Sequence, residues 1–254
     1  MCLLIVLREV VPDWPLVVAA NREESYDRQG EPPRLLCDSP RVFGGRDPHA
    51  GGTWLAVNQW AMVCALTNRP RKDAPARQVR SRGLLCLDAA RQKSPIAVAD
   101  RMAHAMVRDE YDGFNLLCLA PSAGSSFYFD GRLREKPVAH GVFVVTTGDA
   151  NDFSDERVRR AYELLDPGRP RPFAEWVEQL EGICRDHGAG PSRDSLCRHG
   201  ETSGTVSSTI LAFHRRDPRL HLFRHCQGRP CETVYETVRW PENFFAAIPT
   251  ERSE

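Results

Sequence analysis

The chain has 254 residues, which suits one domain with a large core, and we expect a single domain over residues 1–254. Lys plus Arg number 34 and Asp plus Glu number 34, so the net charge is zero, which argues against binding to nucleic acid or to an anionic membrane surface. Hydrophobic residues account for 41% and charged residues for 27%, a composition that excludes disorder and a membrane bundle.

We expect neither a membrane-spanning stretch nor a signal peptide from the sequence. Its first apolar run, residues 3–7, is closed by Arg8 and Glu9, far short of the ~20 apolar residues of a spanning helix. Nine cysteines lie mostly in apolar runs and form no C-x-x-C pair, as is typical of reduced proteins. We therefore expect a protein without a membrane span in the reducing cytoplasm.

The first half of the chain predicts two strand pairs followed by two helices. Residues 2–10 are apolar on both alternating faces, which favours a strand covered on both sides, and the turn residues at 12–15 predict a hairpin. Ser94 and Pro95 have the character of a helix N-cap and a first helical residue. The predicted elements are strands over 2–10, 16–20, 53–58 and 62–67 and helices over 82–91 and 95–107.

The second half continues with strands, then helices, then a final group of strands. The predicted elements are strands over 114–119, 126–129 and 142–147, helices over 154–165 and 173–187, a loop over 187–204, and strands over 206–214, 220–225 and 233–240. This order has no regular βαβ alternation, which favours mainly antiparallel sheets. We predict an α+β fold, a four-layer αββα sandwich in which two sheets pack face to face with helices outside.

Cys2 is the leading candidate for a catalytic group. Initiator methionine is usually removed before a small residue, so we predict that mature Cys2 carries a free α-amine beside its own thiol. An α-amine titrates near about pH 7.7–8.0 and a thiol near about 8.5, so the amine can serve as base for the thiol. The alternative is a cysteine that only begins a buried strand.

Partners for this thiol follow the second predicted strand in the segment Asn21-Arg22-Glu23-Glu24. Arginine near a thiol favours the thiolate, and a carboxylate can hold the α-amine in place. A hairpin returns this segment to the start of the first strand. The alternative is a solvated charged turn.

A further group of candidates lies around the third and fourth strands. The glycines of Gly51-Gly52-Thr53-Trp54 allow close approach of the backbone. Asn68, at the end of Ala65-Leu66-Thr67-Asn68, can offer its amide N–H to a developing oxyanion. Alternatively, Asn68 only starts a turn with Pro70.

Six segments, taken in order, carry a family resemblance. They are Met1-Cys2, V-A-A-N-R-E-E at 18–24, G-G-T-W-L-A-V-N at 51–58, A-L-T-N at 65–68, S-R-G at 81–83 and Y-D-G-F-N-L-L at 111–117. Together they resemble the NRDE family, also called the transport-and-Golgi-organization family, over about the first half of the chain. That family is similar to N-terminal-nucleophile hydrolases of the choloylglycine hydrolase and penicillin acylase type, which implies the αββα sandwich.

The resemblance implies a role for each of several residues. Cys2 is the expected nucleophile, Arg22 the residue beside its thiol, and Asn68 an oxyanion donor. Asn151, within T-T-G-D-A-N-D, is expected to correspond to a second active-site asparagine. Glu23 stands where the family has Asp, which changes the reach of the carboxylate. The residues expected to bind substrate, including the paired hydroxyls of a late strand, are Asn21, Glu23, Glu24, Gly52, Thr53, Trp54, Ser207 and Ser208.

Two other motifs carry no function in this interpretation. The sequence R-H-G-E-T at 198–202 resembles the histidine phosphatase motif, but it lies in a predicted loop and not after an N-terminal strand, so we interpret it as chance. A late His/Cys group lacks a second pair at metal-ligand spacing, which favours an edge-strand surface, and we predict no metal site. Its members are His221, His225, Cys226 and Cys231.

The resemblance therefore favours a cysteine N-terminal-nucleophile hydrolase that acts on a linear amide or thioester and needs no cofactor. The alternative is a non-catalytic protein on the same fold, because the family has been linked to haem trafficking and to binding of acyl-CoA or related lipids. In both cases the expected partner is a small apolar or acyl-bearing ligand. For haem, the chain offers no C-x-x-C-H motif, so ligation would fall to a histidine or a lone cysteine.

Overall fold

The structure of the chain, a computed structural model, describes residues 2–73, 75–76 and 78–245. Met1, whose removal we predict, lies outside the described residues. The helices are α1 (Arg82–Ala90), α2 (Pro95–Arg108), α3 (Glu156–Leu165) and α4 (Phe173–Arg185). The strands are β1 (Cys2–Val11), β2 (Trp14–Ser25), β3 (Glu31–Asp38), β4 (Arg41–Arg46), β5 (Leu55–Asn58), β6 (Val63–Asn68), β7 (Phe114–Leu119), β8 (Gly124–Phe129), β9 (Leu133–Pro137), β10 (Gly141–Val145), β11 (Ser203–Phe213), β12 (Leu222–Cys226) and β13 (Glu236–Thr237).

The first sheet has six strands in the order β10-β1-β2-β11-β12-β13, and all its pairings are antiparallel. The predicted β1–β2 hairpin is present, and its register pairs Cys2 with Arg22. On the other side of β2, Ser207 is the partner of Arg22, next to a register shift between Thr205 and Ser207. Directly paired residues point to the same face of a sheet, so three strands place Cys2, Arg22 and Ser207 side by side.

The second sheet has seven strands in sequence order, β3 to β9, again joined by antiparallel pairings. Its centre is formed by β5, β6 and β7, which are almost fully buried. The β6–β7 register ends with Asn68 opposite Phe114. Asn68 is only partly buried, because β6 ends there at the margin of the sheet.

The two sheets pack face to face, and each carries two helices on its outer face. Alternate residues of β1 divide between two cores, because successive side chains of a strand point to opposite faces. Leu4 and Val6 pack against the second sheet, whereas Leu3 and Ile5 pack in the core that contains residues of α3 and α4. A third core lies between the second sheet and α1 and α2. This confirms the predicted αββα sandwich.

Four differences between the predicted and the observed elements concern strands at the edge of a sheet or next to it. The strands β3, β4 and β9 were not predicted, because β3 and β9 contain no buried residue and β4 contains a Gly-Gly pair. The predicted strand over 233–240 is wrong, since only Glu236–Thr237 pairs with β12. Turns between 227 and 233 leave little chain to pair. The predicted N-cap of α2 is confirmed, with Ser94 Oγ accepting from Ala97 N at 3.3 Å.

None of the helices within the described residues combines the length and the apolar character needed to cross a membrane.

Candidate active site

A pocket with a volume of about 320 Å³ lies where β1 begins, β2 ends and α1 begins. Its wall combines the start of the chain, the end of β2, the segment before β5, the end of β6 and the approach to α1. The lining residues are Cys2, Arg22, Glu23, Glu24, Arg28, Asp47, His49, Ala50, Thr53, Trp54, Leu66, Asn68, Val79, Arg80, Ser81, Arg82, Gly83 and Asp112. Seven predicted site residues therefore meet here, namely Cys2, Arg22, Glu23, Glu24, Thr53, Trp54 and Asn68.

Cys2 is half-buried at the first position of β1. Burial raises the pKa of its thiol, because removal of water disfavours the thiolate. The charge of Glu23 adds to this rise, whereas a backbone hydrogen bond from Glu23 and the charge of Arg22 oppose it. The thiol is therefore mainly protonated at neutral pH and requires a base to become a nucleophile.

Arg22 is held in place mainly by an aromatic ring and a carbonyl group. Its guanidinium carbon lies 4.2 Å from the ring centroid of Trp54, and Nη1 donates to the carbonyl of Arg28 at 3.2 Å. A carboxylate oxygen of Glu24 lies 3.9 Å from Nη2. A Cβ at Gly45 would come within 2.5 Å of the Trp54 ring, so the ring rests on a glycine backbone on one side. Arg22 thus has a fixed position in the same cavity as the Cys2 thiol.

Charged side chains form much of the remaining pocket wall, and most of them were not among the site residues predicted from the sequence. Arg28 forms an ion pair with Asp47 at 2.6 Å, and Arg82 donates to the carbonyl of Gly113 at 2.8 Å. Ser81 caps α1 by accepting from Gly83 N, which brings the positive N-terminal end of that helix to the pocket. The available signals were the S-R-G segment at 81–83 and the Y-D-G-F-N-L-L segment at 111–117, which contains Asp112. The missed lining residues with ionisable side chains are Arg28, Asp47, His49, Arg80, Arg82 and Asp112.

Two predicted site residues lie on the opposite face of the first sheet. Asn21 and Arg22 are neighbours in β2, so their side chains point to opposite faces. Asn21 Nδ2 donates to the carbonyls of Cys184 and Leu196, both at 3.0 Å. Ser208 pairs with Asn21 in the register, and its hydroxyl contacts Tyr235 Oη at 2.5 Å. Both residues therefore stabilise the packing of the helical layer and do not line the pocket.

Two further predicted residues lie near the pocket without lining it. Ser207 is buried on the same face as Cys2, beside Arg22. Gly52 packs against the start of α1, where a Cβ would lie 2.2 Å from the carbonyl carbon of Gly83. Gly52 is thus the residue that permits α1 to approach this wall.

Asn151 lies in a separate cavity of about 170 Å³ between β8 and β10. Its Oδ1 accepts from Val144 N at 2.7 Å, and its Nδ2 donates to Val142 O at 2.8 Å. The side-chain amide thus makes the hydrogen bonds to the N–H and C=O groups of β10 that a neighbouring strand would make. The structure does not bring this residue to Cys2.

Side chains of metal-ligand type also gather outside the pocket. The late His/Cys group does not assemble, because His225 contacts Thr209 Oγ1 at 2.9 Å and His221 accepts from His214 N at 3.1 Å. Among the described residues, potential ligand atoms instead meet in a group formed by His187, Cys197, His199 and Cys231.

Comparison with solved structures gives similar folds at low sequence identity. A mutant conjugated bile acid hydrolase from Clostridium perfringens aligns with a TM-score of 0.54 and 9% identity, covering 98% of this chain and 100% of that one. A Caenorhabditis elegans orthologue of N-acylethanolamine-hydrolyzing acid amidase aligns with a TM-score of 0.54 and 13% identity, covering 85% and 98%. The αββα arrangement is therefore that of N-terminal-nucleophile hydrolases.

Comparison by sequence gives the family. The Transport and Golgi organization 2 homolog of Mus musculus is 27% identical over 188 residues, 68% of this chain and 62% of that protein. The homolog of Bos taurus is 28% identical over 140 residues, 49% of this chain and 47% of that protein. The matches thus span 62% and 47% of the length of these relatives. The family model "Transport and Golgi organisation 2" matches residues 1–167, and the chain belongs to this family.

Proposed function

We propose that this protein is a cysteine N-terminal-nucleophile hydrolase that transfers an acyl group from a linear amide or thioester to water. The observation that carries the proposal is the meeting of Cys2, Arg22 and Asn68 around one cavity. The structural relatives support it, because the names of both describe hydrolases, one of conjugated bile acids and one of N-acylethanolamines.

The first half of the reaction forms an acyl-enzyme. After removal of Met1, the α-amine of Cys2 accepts the thiol proton and the thiolate attacks the substrate carbonyl carbon. The N–H of the Asn68 side chain donates a hydrogen bond to the oxyanion that develops. Collapse of this intermediate breaks the bond to the leaving amine or thiol, which receives the proton from the α-ammonium. The acyl group is then bound to Cys2 as a thioester.

The second half returns the free thiol. The α-amine, now neutral, accepts a proton from water as the water oxygen attacks the thioester carbonyl. The same oxyanion donor acts again, and the second intermediate releases a carboxylic acid and the Cys2 thiolate, which recovers its proton from the α-ammonium. Arg22 contributes a positive charge near the sulfur in each step at which it is a thiolate.

Arg82 and the N-terminal end of α1 favour a substrate with an anionic group. Four arginines and four carboxylates line the cavity, and Arg28 is paired with Asp47, whereas Arg82 donates to a backbone carbonyl and lies beside the N-terminal end of α1. Arginine pairs well with carboxylate and phosphate, and a helix N-terminus favours negative charge. The preferred substrate is therefore an acyl donor that carries a carboxylate or phosphate beyond the scissile bond.

Intact-mass spectrometry after incubation with activated acyl donors tests the proposal. The donors are thioesters of matched chain length, with and without a terminal carboxylate, and the protein is natively expressed so that its N-terminus can be read in the same spectrum. We expect loss of Met1, an acyl adduct on Cys2 and faster turnover of the carboxylate-bearing donor.

Two variants sharpen this experiment. Cys2→Ala is expected to form no adduct and to lose turnover, whereas Cys37→Ser, which changes another half-buried cysteine outside the pocket, is expected to behave as the wild type. Retention of Met1 on the native protein, or turnover by Cys2→Ala at the wild-type rate, would overturn the proposal.

A second candidate function, binding of acyl-CoA without turnover, is favoured by the same arginines, which suit its phosphates. Haem fits the pocket less well. His49 and Cys2 are ligand-type residues in its wall, but the charged lining offers little apolar surface to the faces of a porphyrin. Calorimetric titration with acyl-CoA and a Soret titration with haem separate these ligands. Tight binding of either without an adduct on Cys2 would favour a carrier.

A further inference from the structure

Four side chains outside the pocket meet at one point. The Sγ atoms of Cys197 and Cys231 are 3.5 Å apart, and the Nε2 atoms of His187 and His199 are 3.0 Å apart. His199 Nε2 lies 3.4 Å from Cys231 Sγ and 3.8 Å from Cys197 Sγ. All four potential ligand atoms lie within 4.8 Å of one another.

Four of the six separations are close to the edges of a tetrahedron around a single ion, and the other two, from His187 Nε2 to the two sulfur atoms, are within 4.8 Å. With Zn–S near about 2.3 Å and Zn–N near about 2.05 Å, a regular tetrahedron has S–S, S–N and N–N edges of about 3.8, 3.6 and 3.3 Å. The four measured separations each differ from these edges by about 0.3 Å or less. We propose that one zinc ion is bound in a tetrahedral site by His187, Cys197, His199 and Cys231.

The donor set favours zinc and a structural role. Two thiolates and two imidazoles in tetrahedral geometry suit zinc, whereas calcium and magnesium prefer oxygen ligands. All four positions around the ion are filled by the protein, so no position remains open for water or substrate. Such closed sites contribute to folding and not to chemistry.

The backbone presents the ligands from two separate segments. Cys197 N donates to Asp186 O at 2.9 Å, and His199 N donates to Ser192 O at 2.8 Å, which fixes the loop after α4. Cys231 lies in a turn after β12, in which Glu232 N donates to Arg229 O at 3.0 Å. A metal ion would therefore cross-link the loop after α4 to the turn after β12.

This cross-link is adjacent to the candidate active site. Arg198 lies between two of the ligands, and its Nη1 donates to Glu23 Oε2 at 3.1 Å. Glu23 lines the pocket and directly follows Arg22 in β2. Zinc is thus expected to hold Arg198 against Glu23, but the metal site does not depend on the reaction that the pocket performs.

The competing structure is a disulfide between Cys197 and Cys231. An S–S bond is about 2.05 Å long, so oxidation requires the two sulfur atoms to move together and removes both thiolate ligands. The two states differ in mass and in metal content. Both properties can be measured without any knowledge of the substrate.

Metal analysis of the full-length protein, purified under reducing conditions, tests the site. We expect about one zinc ion per chain, and we expect that replacement by cobalt gives the ligand-field absorption of a tetrahedral site with thiolate-to-cobalt charge transfer. A strong chelator is expected to remove the ion and to lower the melting temperature. Reduced wild-type protein that takes up neither metal, or that contains a disulfide between Cys197 and Cys231, would overturn the site.

Two double variants locate the metal. The variant Cys231→Ser/His187→Asn changes two half-buried ligands and is expected to lose zinc and the cobalt spectrum. The control Cys37→Ser/His104→Asn changes the same residue types elsewhere and is expected to retain both. Zinc bound equally by both variants contradicts the proposal. If the first variant fails to fold, the cobalt spectrum and the effect of the chelator on the wild-type protein still test whether the zinc site exists.

Discussion

The Cys2 thiol is subject to two opposing influences that determine how its reactivity depends on pH. Burial raises the pKa of Cys2, whereas the positive charge of Arg22 lowers it. Because the net shift is upward, the thiolate fraction at neutral pH is small and grows about tenfold per pH unit below the pKa. We expect the rate of alkylation of Cys2 by iodoacetamide to increase from about pH 7 to about pH 9 without a plateau.

The variant Arg22→Gln tests the cause of this behaviour. Removal of the positive charge raises the pKa of Cys2 further, so alkylation should be slower at each pH. Peptide mass spectrometry can follow Cys2 and, as an internal control, Cys37, whose rate the variant should not change. A plateau below about pH 8 would contradict the upward shift.

The second prediction at the residue scale concerns Asn68. If its side-chain N–H stabilises the oxyanion, Asn68→Ala should reduce kcat about 10²–10³-fold with little change in KM. Asn151→Ala is the matched control, because that amide hydrogen-bonds to the backbone of β10 and lies in another cavity. Steady-state kinetics with one thioester donor measures both. Full turnover by Asn68→Ala would exclude it from the mechanism.

Strand geometry explains which site residues the sequence could predict. Cys2 and Arg22 were predictable because a hairpin returns β2 to the start of β1, and the structure pairs them directly. Asn21 adjoins Arg22 in the same strand, so the alternation of side chains already places it on the other face. Asp47 and Arg82 reach the pocket from a loop and a helix terminus, and no local pattern indicates that approach.

At the scale of elements, close contact between α1 and the segment before β5 forms one wall of the pocket. A Cβ at Gly52 would overlap the Gly83 backbone at 2.2 Å, so Gly52→Ala must displace the start of α1. Overpacking of this kind costs about 1–3 kcal/mol. We expect Gly52→Ala to lower the free energy of unfolding by this amount, measured by urea denaturation.

Gly182 provides the matched control for this substitution. It lies within α4, and a Cβ there would meet nothing within 4 Å. Alanine is favoured over glycine inside a helix by about 0.5–1 kcal/mol, so Gly182→Ala should stabilise the protein. Equal effects of the two substitutions would show that steric overlap at Gly83 is not the cause.

The predictability of the strands follows their place in the sheets. Central strands such as β1 and β7 are covered on both faces, and their continuous apolar runs identify them in the sequence. Edge strands lack this pattern. The edge strand β9 is Leu-Arg-Glu-Lys-Pro and largely exposed, and its pairing to β8 depends on backbone hydrogen bonds that do not constrain the side chains.

At the scale of the whole molecule, a buried carboxylate connects three parts of the fold. Glu23 belongs to β2, is only 4% exposed and forms ion pairs with Arg157 of α3 and with Arg198 of the loop after α4. The sheet, a helix and the loop with the proposed zinc ligands thus meet at one side chain. No local pattern of residues indicates this junction, because Glu23, Arg157 and Arg198 are far apart along the chain.

The stability of this junction can be measured with the variant Glu23→Gln. Removal of the charge leaves two largely buried arginines beside a neutral amide, and breaking a buried ion pair costs about 3–5 kcal/mol. Glu24→Gln is the matched control, because Glu24 is 30% exposed and its ion pairs with Arg22 and Arg28 are 3.9 and 3.7 Å long. Such a pair contributes below about 1 kcal/mol. Urea denaturation at neutral pH should give a larger loss of unfolding free energy for Glu23→Gln than for Glu24→Gln. Equal losses would mean that the buried ion pairs of Glu23 contribute no more to stability than the partly exposed pairs of Glu24.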